Sequence, residues 1–151
     1  MEVFRISRDK YAGTLTGSGK SARWNKDNQH VLYTAEARSL SALELVVHRN
    51  SIHTALNYQV MVISLADDER LYKRMFLKDM PSGWRGIGAY SALQDIGSDW
   101  YVNQESLILQ VPSALIPEEF NFIINLRHPD FSKHTVSLTR TESFEWDNRL
   151  M

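Results

Sequence analysis

A single carboxylate stands inside an otherwise apolar run, where it could serve a reaction. Glu44 lies between Leu40 and Val47, and at helical spacing it shares a face with Leu40, Leu43 and Val47. A carboxylate on such a face is costly unless it is paired or hydrogen-bonded, and groups of this kind are common at catalytic sites. The pattern makes Glu44 a candidate catalytic residue.

A structural interpretation of Glu44 is equally open. Ser41 and Glu44 match the S-x-x-E capping box, with Ser39 as a rival N-cap. Glu44 would then bond back to the Ser41 amide and have no further role. Capping does not exclude a site, because a helix N-terminus can itself line one, so both interpretations stand.

The second candidate is Arg23, which follows a Gly/Ser-rich stretch and precedes Trp24 and Asn25. A guanidinium presented in this way can clamp a phosphate or carboxylate through two hydrogen bonds. The alternative is a surface arginine beside a packing tryptophan. Three further residues are weaker candidates for the site, because each has a simple structural explanation. Arg5 could be an edge-strand arginine, Tyr33 a core aromatic and Ser113 a lone serine at a strand end.

Several familiar kinds of site are excluded. The segment from Gly17 to Ser21 resembles the end of a P-loop. However, Thr14 stands where the P-loop motif requires its first glycine, and no amphipathic helix follows. The five histidines are scattered, and no H-E-x-x-H or G-x-S-x-G motif occurs. With no cysteine there is no thiolate zinc site or cysteine nucleophile. The sequence predicts no metal and a flexible polar loop over residues 12–30.

The elements that must position these residues follow from periodicity and turn signals. Predicted strands cover 2–7, 31–34, 58–65, 106–111 and 120–126, with one or two more within 134–146. Predicted helices cover 39–49 and 89–104, the second interrupted at Gly97, and 67–78 is expected to be partly helical. This mixed order predicts an α+β fold with a mixed central β-sheet flanked by helices. Because the 39–49 helix is apolar nearly all round, we expect it to be buried.

Composition limits the class of protein. A chain of 151 residues with 43% hydrophobic residues suits a single domain over 1–151. A net charge of −1 without a basic run argues against direct nucleic-acid binding. No apolar run approaches the roughly 18 residues of a membrane span, and the first residues lack the order of a signal peptide. We therefore expect a cytoplasmic protein without a membrane partner.

Together and in order, these stretches resemble the RES domain, which is named for a recurring Arg, Glu and Ser. Arg23, Glu44 and Ser113 fall on those three positions. The resemblance runs from about residue 3 to residue 149 and is carried by these segments: Val3–Ser7, Ala22–Asn25, Val31–Glu36, Ser39–Glu44, Leu107–Ser113 and Asn121–Pro129. Two departures are Ser21-Ala22, where the family usually has Gly-Gly, and Leu126, where it usually has proline.

The resemblance implies a fold similar to that of ADP-ribosyltransferase toxins, with a pocket for NAD⁺ as substrate. It implies cleavage of the nicotinamide–ribose bond, with water or inorganic phosphate as acceptor. It also implies an Xre-type helix-turn-helix antitoxin that blocks the pocket, and a homodimer within a larger toxin–antitoxin complex. Two rivals remain: a protein ADP-ribosyltransferase, and a catalytically inactive module that only binds the antitoxin.

The resemblance also implies a role for each candidate residue. Arg23 and Arg5 would bind the phosphates, and Glu44 would bond the ribose hydroxyls and stabilise developing positive charge. Tyr33 would bound the nicotinamide end. Ser113 would bind a phosphate or ribose oxygen or position the acceptor, and Asn125 would stand at the pocket edge.

Overall fold

A computed structural model describes residues 1–47 and 56–150. Seven strands and two α-helices form the framework of this part of the chain. The strands are β1 (Glu2–Arg8), β2 (Val31–Ala35), β3 (Tyr58–Leu65), β4 (Tyr72–Arg74), β5 (Ile108–Pro112), β6 (Phe120–Asn125) and β7 (Val136–Phe144). The helices are α1 (Arg38–Val47) and α2 (Tyr90–Val102).

One sheet contains all seven strands in the order β4-β5-β6-β2-β1-β3-β7. Every neighbouring pair is antiparallel except β4 and β5, which are parallel. The predicted α+β class with a mixed sheet is therefore confirmed. The segment 134–146 supplies one strand, β7, rather than two.

Strand β4 is the element that the sequence pattern misses. Residues 67–78, predicted to be partly helical, hold two single turns of 3₁₀ helix, Glu69–Leu71 and Leu77–Asp79. The three residues of β4 lie between them and pair with Ile108 to Gln110 of β5. A strand of three residues is too short to display an alternating pattern.

Burial of β3 agrees with its apolar composition. Six of its eight residues are buried, including Val62 and Ile63 at 0% exposure. A nearly unbroken run of β-branched and other apolar residues predicts this two-sided burial.

The sheet is loosely joined between β1 and β2. β1 pairs with β3 at all seven of its residues but with β2 only at Phe4 and Ala35. Beyond that pair a single side-chain contact spans the two strands, from Arg5 Nη1 to the Tyr33 carbonyl at 3.0 Å. β1 is therefore an interior strand, and the edge-strand interpretation of Arg5 is wrong. A gap between two sheet strands opens beside Arg5.

The capping-box interpretation of α1 is also wrong. The helix begins at Arg38, so Ser41 lies inside it, and the Ser41 amide donates to the Ala37 carbonyl at 3.1 Å. The Ser41 hydroxyl instead accepts from the Ile6 amide at 3.0 Å, which ties the helix to β1. Residues 48 and 49 of the predicted helix lie outside the described residues.

The expected burial of α1 is likewise incorrect. Only Leu40 and Ser41 are buried, whereas Leu43 and Val47 are 39% and 56% exposed. Ala42 and Leu45 of α1 pack against the core cluster that contains Phe4 and Ile6 of β1. Leu43 and Val47 are left partly exposed to solvent. The apolar composition of α1 predicted burial of the whole helix, whereas the described fold buries only two of its residues.

Helix α2 passes through Gly97 without interruption. A Cβ atom at Gly97 would lie 1.7 Å from the Trp24 carbonyl oxygen, so this glycine is required by the close approach of two backbones. The polar loop that carries Arg23 thus packs directly on α2. Neither described helix is long and apolar enough to cross a membrane.

Candidate functional site

A cavity of about 430 Å³ occupies the gap between β1 and β2. It is bounded by those strands, α1, the polar loop, the start of α2 and the segment that follows β5. Four of the six residues predicted for the site line it: Arg5, Arg23, Tyr33 and Glu44. The gap in the sheet is what brings together residues that are distant in sequence.

The position of Arg23 is fixed by two contacts. Its Nη1 donates to the Trp84 carbonyl at 3.0 Å, and its guanidinium lies 4.7 Å from the centre of the Tyr90 ring. The next residue, Trp24, is buried and anchors the loop in the core. The packing tryptophan of the structural interpretation is therefore present, but the arginine beside it lines the cavity.

Tyr33 joins β2 to this loop. Its hydroxyl donates to Asn25 Oδ1 at 2.6 Å and accepts from the Trp24 amide at 3.1 Å. Burial raises the pKa of Tyr33, so the phenol stays neutral. Its ring can bound a ligand, while its hydroxyl holds the segment that presents Arg23.

Arg5 brings a second guanidinium to the cavity. Burial lowers the pKa of Arg5, but an arginine side chain still remains charged at neutral pH. Among the described residues, no carboxylate lies within ion-pair distance of Arg5. A largely enclosed cation without a carboxylate partner favours a ligand that carries negative charge.

Glu44 is the one carboxylate among the described residues that line the cavity. It projects from the second turn of α1, and its Oε1 accepts from the Ser113 hydroxyl at 3.2 Å. One acidic group thus shares a cavity with two guanidinium groups, Arg5 and Arg23.

Ser113 lies behind Glu44 rather than at the cavity surface. It is fully buried, and its Oγ accepts from the Leu115 and Ile116 amides at 3.1 and 3.3 Å. With both amides donating to that oxygen, its own proton is free to be given to Glu44. This geometry suits orientation of the carboxylate better than the direct ligand contact that the resemblance implies.

Asn125 does not line the cavity. It sits at the far end of β6 from Asn121, about 13 Å away along the strand. Its amide nitrogen donates to the Tyr101 carbonyl at 3.4 Å, and its Oδ1 accepts from the Arg127 amide at 2.9 Å. Asn125 therefore shapes a turn, and its prediction as a pocket-edge residue is corrected.

Asn121 and Tyr90 are among the lining residues that the sequence analysis did not single out. Asn121 donates to the Thr34 carbonyl at 3.3 Å and pairs with Val111 in the sheet. The sequence could have indicated Asn121, because the start of β6 must lie beside the end of β5 in an antiparallel pair. Tyr90 opens α2 and carries no such signal in the sequence.

No group of three His, Asp or Glu side chains in the described ranges, 1–47 and 56–150, could hold a metal ion. Two of the histidines, His48 and His53, fall outside those ranges.

The comparisons with known proteins identify the family. The chain matches the RES domain over residues 2–147. It is 34% identical over 154 residues to a protein named Toxin Res from Yersinia enterocolitica, covering 99% of both chains. It is also 34% identical over 128 residues to a protein named Prs ADP-ribosylating toxin from Sphingobium, covering 82% of this chain and 80% of that one. The protein belongs to the RES domain family.

A solved structure has the same fold. A chain in the crystal structure of the M. tuberculosis MbcT–MbcA toxin–antitoxin complex superposes with a TM-score of 0.74. The match covers 95% of this chain and 84% of that one at 14% identity. At that identity the likeness concerns the fold alone.

Proposed function

We propose that the protein is the toxin of a toxin–antitoxin pair and that its cavity binds NAD⁺ and cleaves the nicotinamide–ribose bond. The observation that carries this proposal is the placing of Glu44 opposite two guanidinium groups in one cavity. The dinucleotide has the complementary pattern, a pyrophosphate carrying negative charge and a ribose that becomes positive as the bond breaks.

The chemistry resembles glycoside hydrolysis, with a transition state like an oxocarbenium ion. The bond between the ribose C1′ and the nicotinamide nitrogen breaks, and its electron pair leaves with nicotinamide, which becomes neutral. An oxygen of water or inorganic phosphate then bonds to C1′, and any proton on that oxygen is released. Because the leaving group departs uncharged, no general acid is required.

Each lining residue has a defined task in this proposal. Arg23 and Arg5 hold the phosphates, since guanidinium groups offer several donors in a fixed geometry. Glu44 bonds the ribose hydroxyls and stabilises the positive charge that develops at C1′. Tyr33 bounds the nicotinamide end with its ring. Ser113 acts on Glu44 as a positioning residue.

The relative named Prs ADP-ribosylating toxin favours a second acceptor. In that alternative the same cavity binds NAD⁺ and the same bond breaks, but a protein side chain attacks C1′. The two alternatives differ in the product, which is free ADP-ribose or its 1-phosphate in one case and an ADP-ribosylated protein in the other.

We further propose that an antitoxin covers the cavity. The structural neighbour comes from a toxin–antitoxin complex. On this chain, Val47 lines the cavity, and Leu43 and Val47 leave apolar surface exposed on the same helix. An antitoxin that buries this surface would close the site, and the Xre helix-turn-helix type and a homodimeric toxin remain predictions.

The direct test follows nicotinamide release from NAD⁺ by purified, antitoxin-free protein. We expect release, and a rate that depends on phosphate would separate phosphorolysis from hydrolysis. Release that appears only when a protein acceptor is added, with ADP-ribose on that acceptor, would favour the alternative. Folded protein that releases nothing under any of these conditions would refute the proposal.

The sharpest variant is Glu44→Gln, which keeps the size of the side chain and removes its charge. We expect nicotinamide release to fall about a thousandfold, because electrostatic groups of this kind contribute roughly 3–4 kcal/mol to the transition state. Glu36→Gln, on an exposed acid outside the cavity lining, is the matched control. Wild-type release by Glu44→Gln would leave Glu44 with a structural role only.

A further inference from the structure

A second cavity, of about 340 Å³, lies on the other side of Arg5. It is an open recess between β1 and the first part of the polar loop, and most of its lining side chains are exposed. Besides Arg5, its lining is dominated by hydroxyl side chains: Ser7, Tyr11, Thr14, Thr16 and Ser18. Hydroxyl groups and a guanidinium are the side chains that bind phosphate oxygens.

Arg5 is shared by the two cavities. Only one of its five N–H groups is used within the described chain, in the hydrogen bond from Nη1 to the Tyr33 carbonyl. The side chain can therefore serve a ligand on either side of the sheet gap.

Further positive charge lies near Tyr11, one of the residues that line the second cavity. The Lys10 ammonium lies 4.8 Å from the centre of the Tyr11 ring, and the Arg8 guanidinium lies 5.9 Å from it. The pKa of Tyr11 is lowered by its hydrogen bond with Lys10 and by the charges of Lys10, Arg8 and Lys20. These cations gather on one side of a chain whose net charge is −1.

The nearby acid does not neutralise this group from within the cavity. Asp9 is absent from the lining, and its Oδ1 accepts from Gln59 Nε2 at 2.9 Å. Arg5 is the one charged side chain among the described residues that line this recess, and a cation beside hydroxyl donors attracts anions.

Gly17 explains how the hydroxyls come to line this recess. A Cβ atom at Gly17 would lie 2.3 Å from the Val31 carbonyl oxygen, so only glycine lets the loop run against β2. That contact holds the flanking Thr16 and Ser18 over β1. The sequence here is not a P-loop, yet its glycine has a positional function.

We propose that this second cavity is an anion site that binds a phosphate group through Arg5 and the hydroxyls of Thr14, Thr16 and Ser18. This anion site is separate from the proposed NAD⁺ cavity, and phosphate binding to it does not depend on catalysis in that cavity. Two sources could supply the phosphate: free inorganic phosphate, and the phosphates of a dinucleotide that extends past Arg5.

The test titrates inorganic phosphate into wild-type protein and into the double variant Thr14→Val/Thr16→Val, at constant ionic strength. Both threonines are exposed and absent from the NAD⁺ cavity, so the variant keeps the fold and the proposed catalytic groups. We expect phosphate affinity to fall about a hundredfold, because each of the two lost hydrogen bonds to a charged group contributes about a factor of ten. Thr139→Val/Thr141→Val, on the exposed edge strand β7, makes the same chemical change elsewhere and should bind phosphate normally.

A parallel titration with ADP-ribose identifies the source. If only inorganic phosphate binding weakens, the site takes the free anion, and if ADP-ribose binding also weakens, the site takes a dinucleotide phosphate. Equal affinities of the two double variants for both ligands, or no phosphate binding by wild-type protein, would overturn the proposal. Nicotinamide release in phosphate-free buffer is measured separately, so failure of the NAD⁺ proposal leaves the titration interpretable.

Discussion

The two helices border the same cavity but are attached to the protein in opposite ways. α2 buries four residues, including Leu93 and Trp100 at 0% exposure. α1 buries only Leu40 and Ser41, and it presents the carboxylate of Glu44 to the cavity. One helix is fixed by the core, whereas the other carries the group proposed to do chemistry.

Helix α2 supports the site through the polar loop. Gln94 Nε2 donates to the Ala22 carbonyl, Ser98 Oγ accepts from Gln29 Nε2, both at 2.8 Å, and Gly97 abuts Trp24. These contacts hold the loop on both sides of Arg23. The firmly packed helix α2 therefore supports the loop that carries Arg23, while the less buried helix α1 presents Glu44 to the cavity.

The largest effect on folding is expected from Gly97→Ala. The added methyl group would overlap the Trp24 carbonyl, so α2 and the loop must separate. We expect the free energy of unfolding to fall by about 3 kcal/mol, because overpacking of this kind forces the backbone to move. Chemical denaturation measures the change, and ligand binding by Arg23 should weaken with it.

The matched control is Gly13→Ala, since a Cβ atom at Gly13 meets nothing within 4 Å. It should change stability by no more than about 0.5 kcal/mol in either direction. Equal stability of the two alanine variants would mean that α2 does not support the loop as described.

Ser113→Ala is expected to have the next largest effect. It removes the donor to Glu44 and leaves the partly buried Leu115 and Ile116 amides without their acceptor. We expect a loss of about 2 kcal/mol in stability, together with slower nicotinamide release at unchanged KM. A raised KM with normal kcat would instead indicate direct contact between Ser113 and the substrate.

Candidate residues could be predicted where residue type alone constrains their environment. Glu44 in an apolar run and Arg23 beside Trp24 were found in this way, and both line the cavity. From residue type, Ser113 was noted only as a lone serine at a strand end, and Asn125 came from its position in a motif. Neither residue reaches the cavity surface. Motif position identifies the strand, but the end of the strand and the direction of the side chain depend on register.

Strands and helices also differ in how well the sequence predicts them. β3 and α2 have long, clear patterns and were predicted closely, whereas β4 has three residues and no pattern. The cavity itself follows from the missing pairs between β1 and β2. No local sequence feature predicts where neighbouring strands cease to pair, because that outcome depends on everything packed on both faces.

A smaller effect is expected from Tyr90→Leu, which removes the ring beneath the Arg23 guanidinium. A contact of this kind contributes about 1 kcal/mol, so KM for NAD⁺ should rise about fivefold, with little change in kcat. Tyr90→Phe keeps the ring and should restore the wild-type KM. Failure of phenylalanine to do so would move the role of Tyr90 from its ring to its hydroxyl.

The smallest effect concerns the attachment of α1 to the sheet edge. Arg38 donates to both carboxylate oxygens of Glu142 at 2.8 Å, and this pairing lowers the pKa of Glu142 to about 2. A lowered carboxyl pKa gives stability that is fully present above the unfolded pKa, about 4.5. That stability is lost as the pH falls from there through about 2.

Glu142→Gln should therefore weaken α1 at neutral pH and leave α2 unchanged. Amide hydrogen exchange measures this, because it reports each helix separately. Exchange in α1 should be faster in Glu142→Gln than in wild type at neutral pH, and this difference should shrink as acid protonates wild-type Glu142. The same acceleration in both helices would contradict the comparison, because it would mean that α1 and α2 open together rather than as a weakly and a firmly attached element.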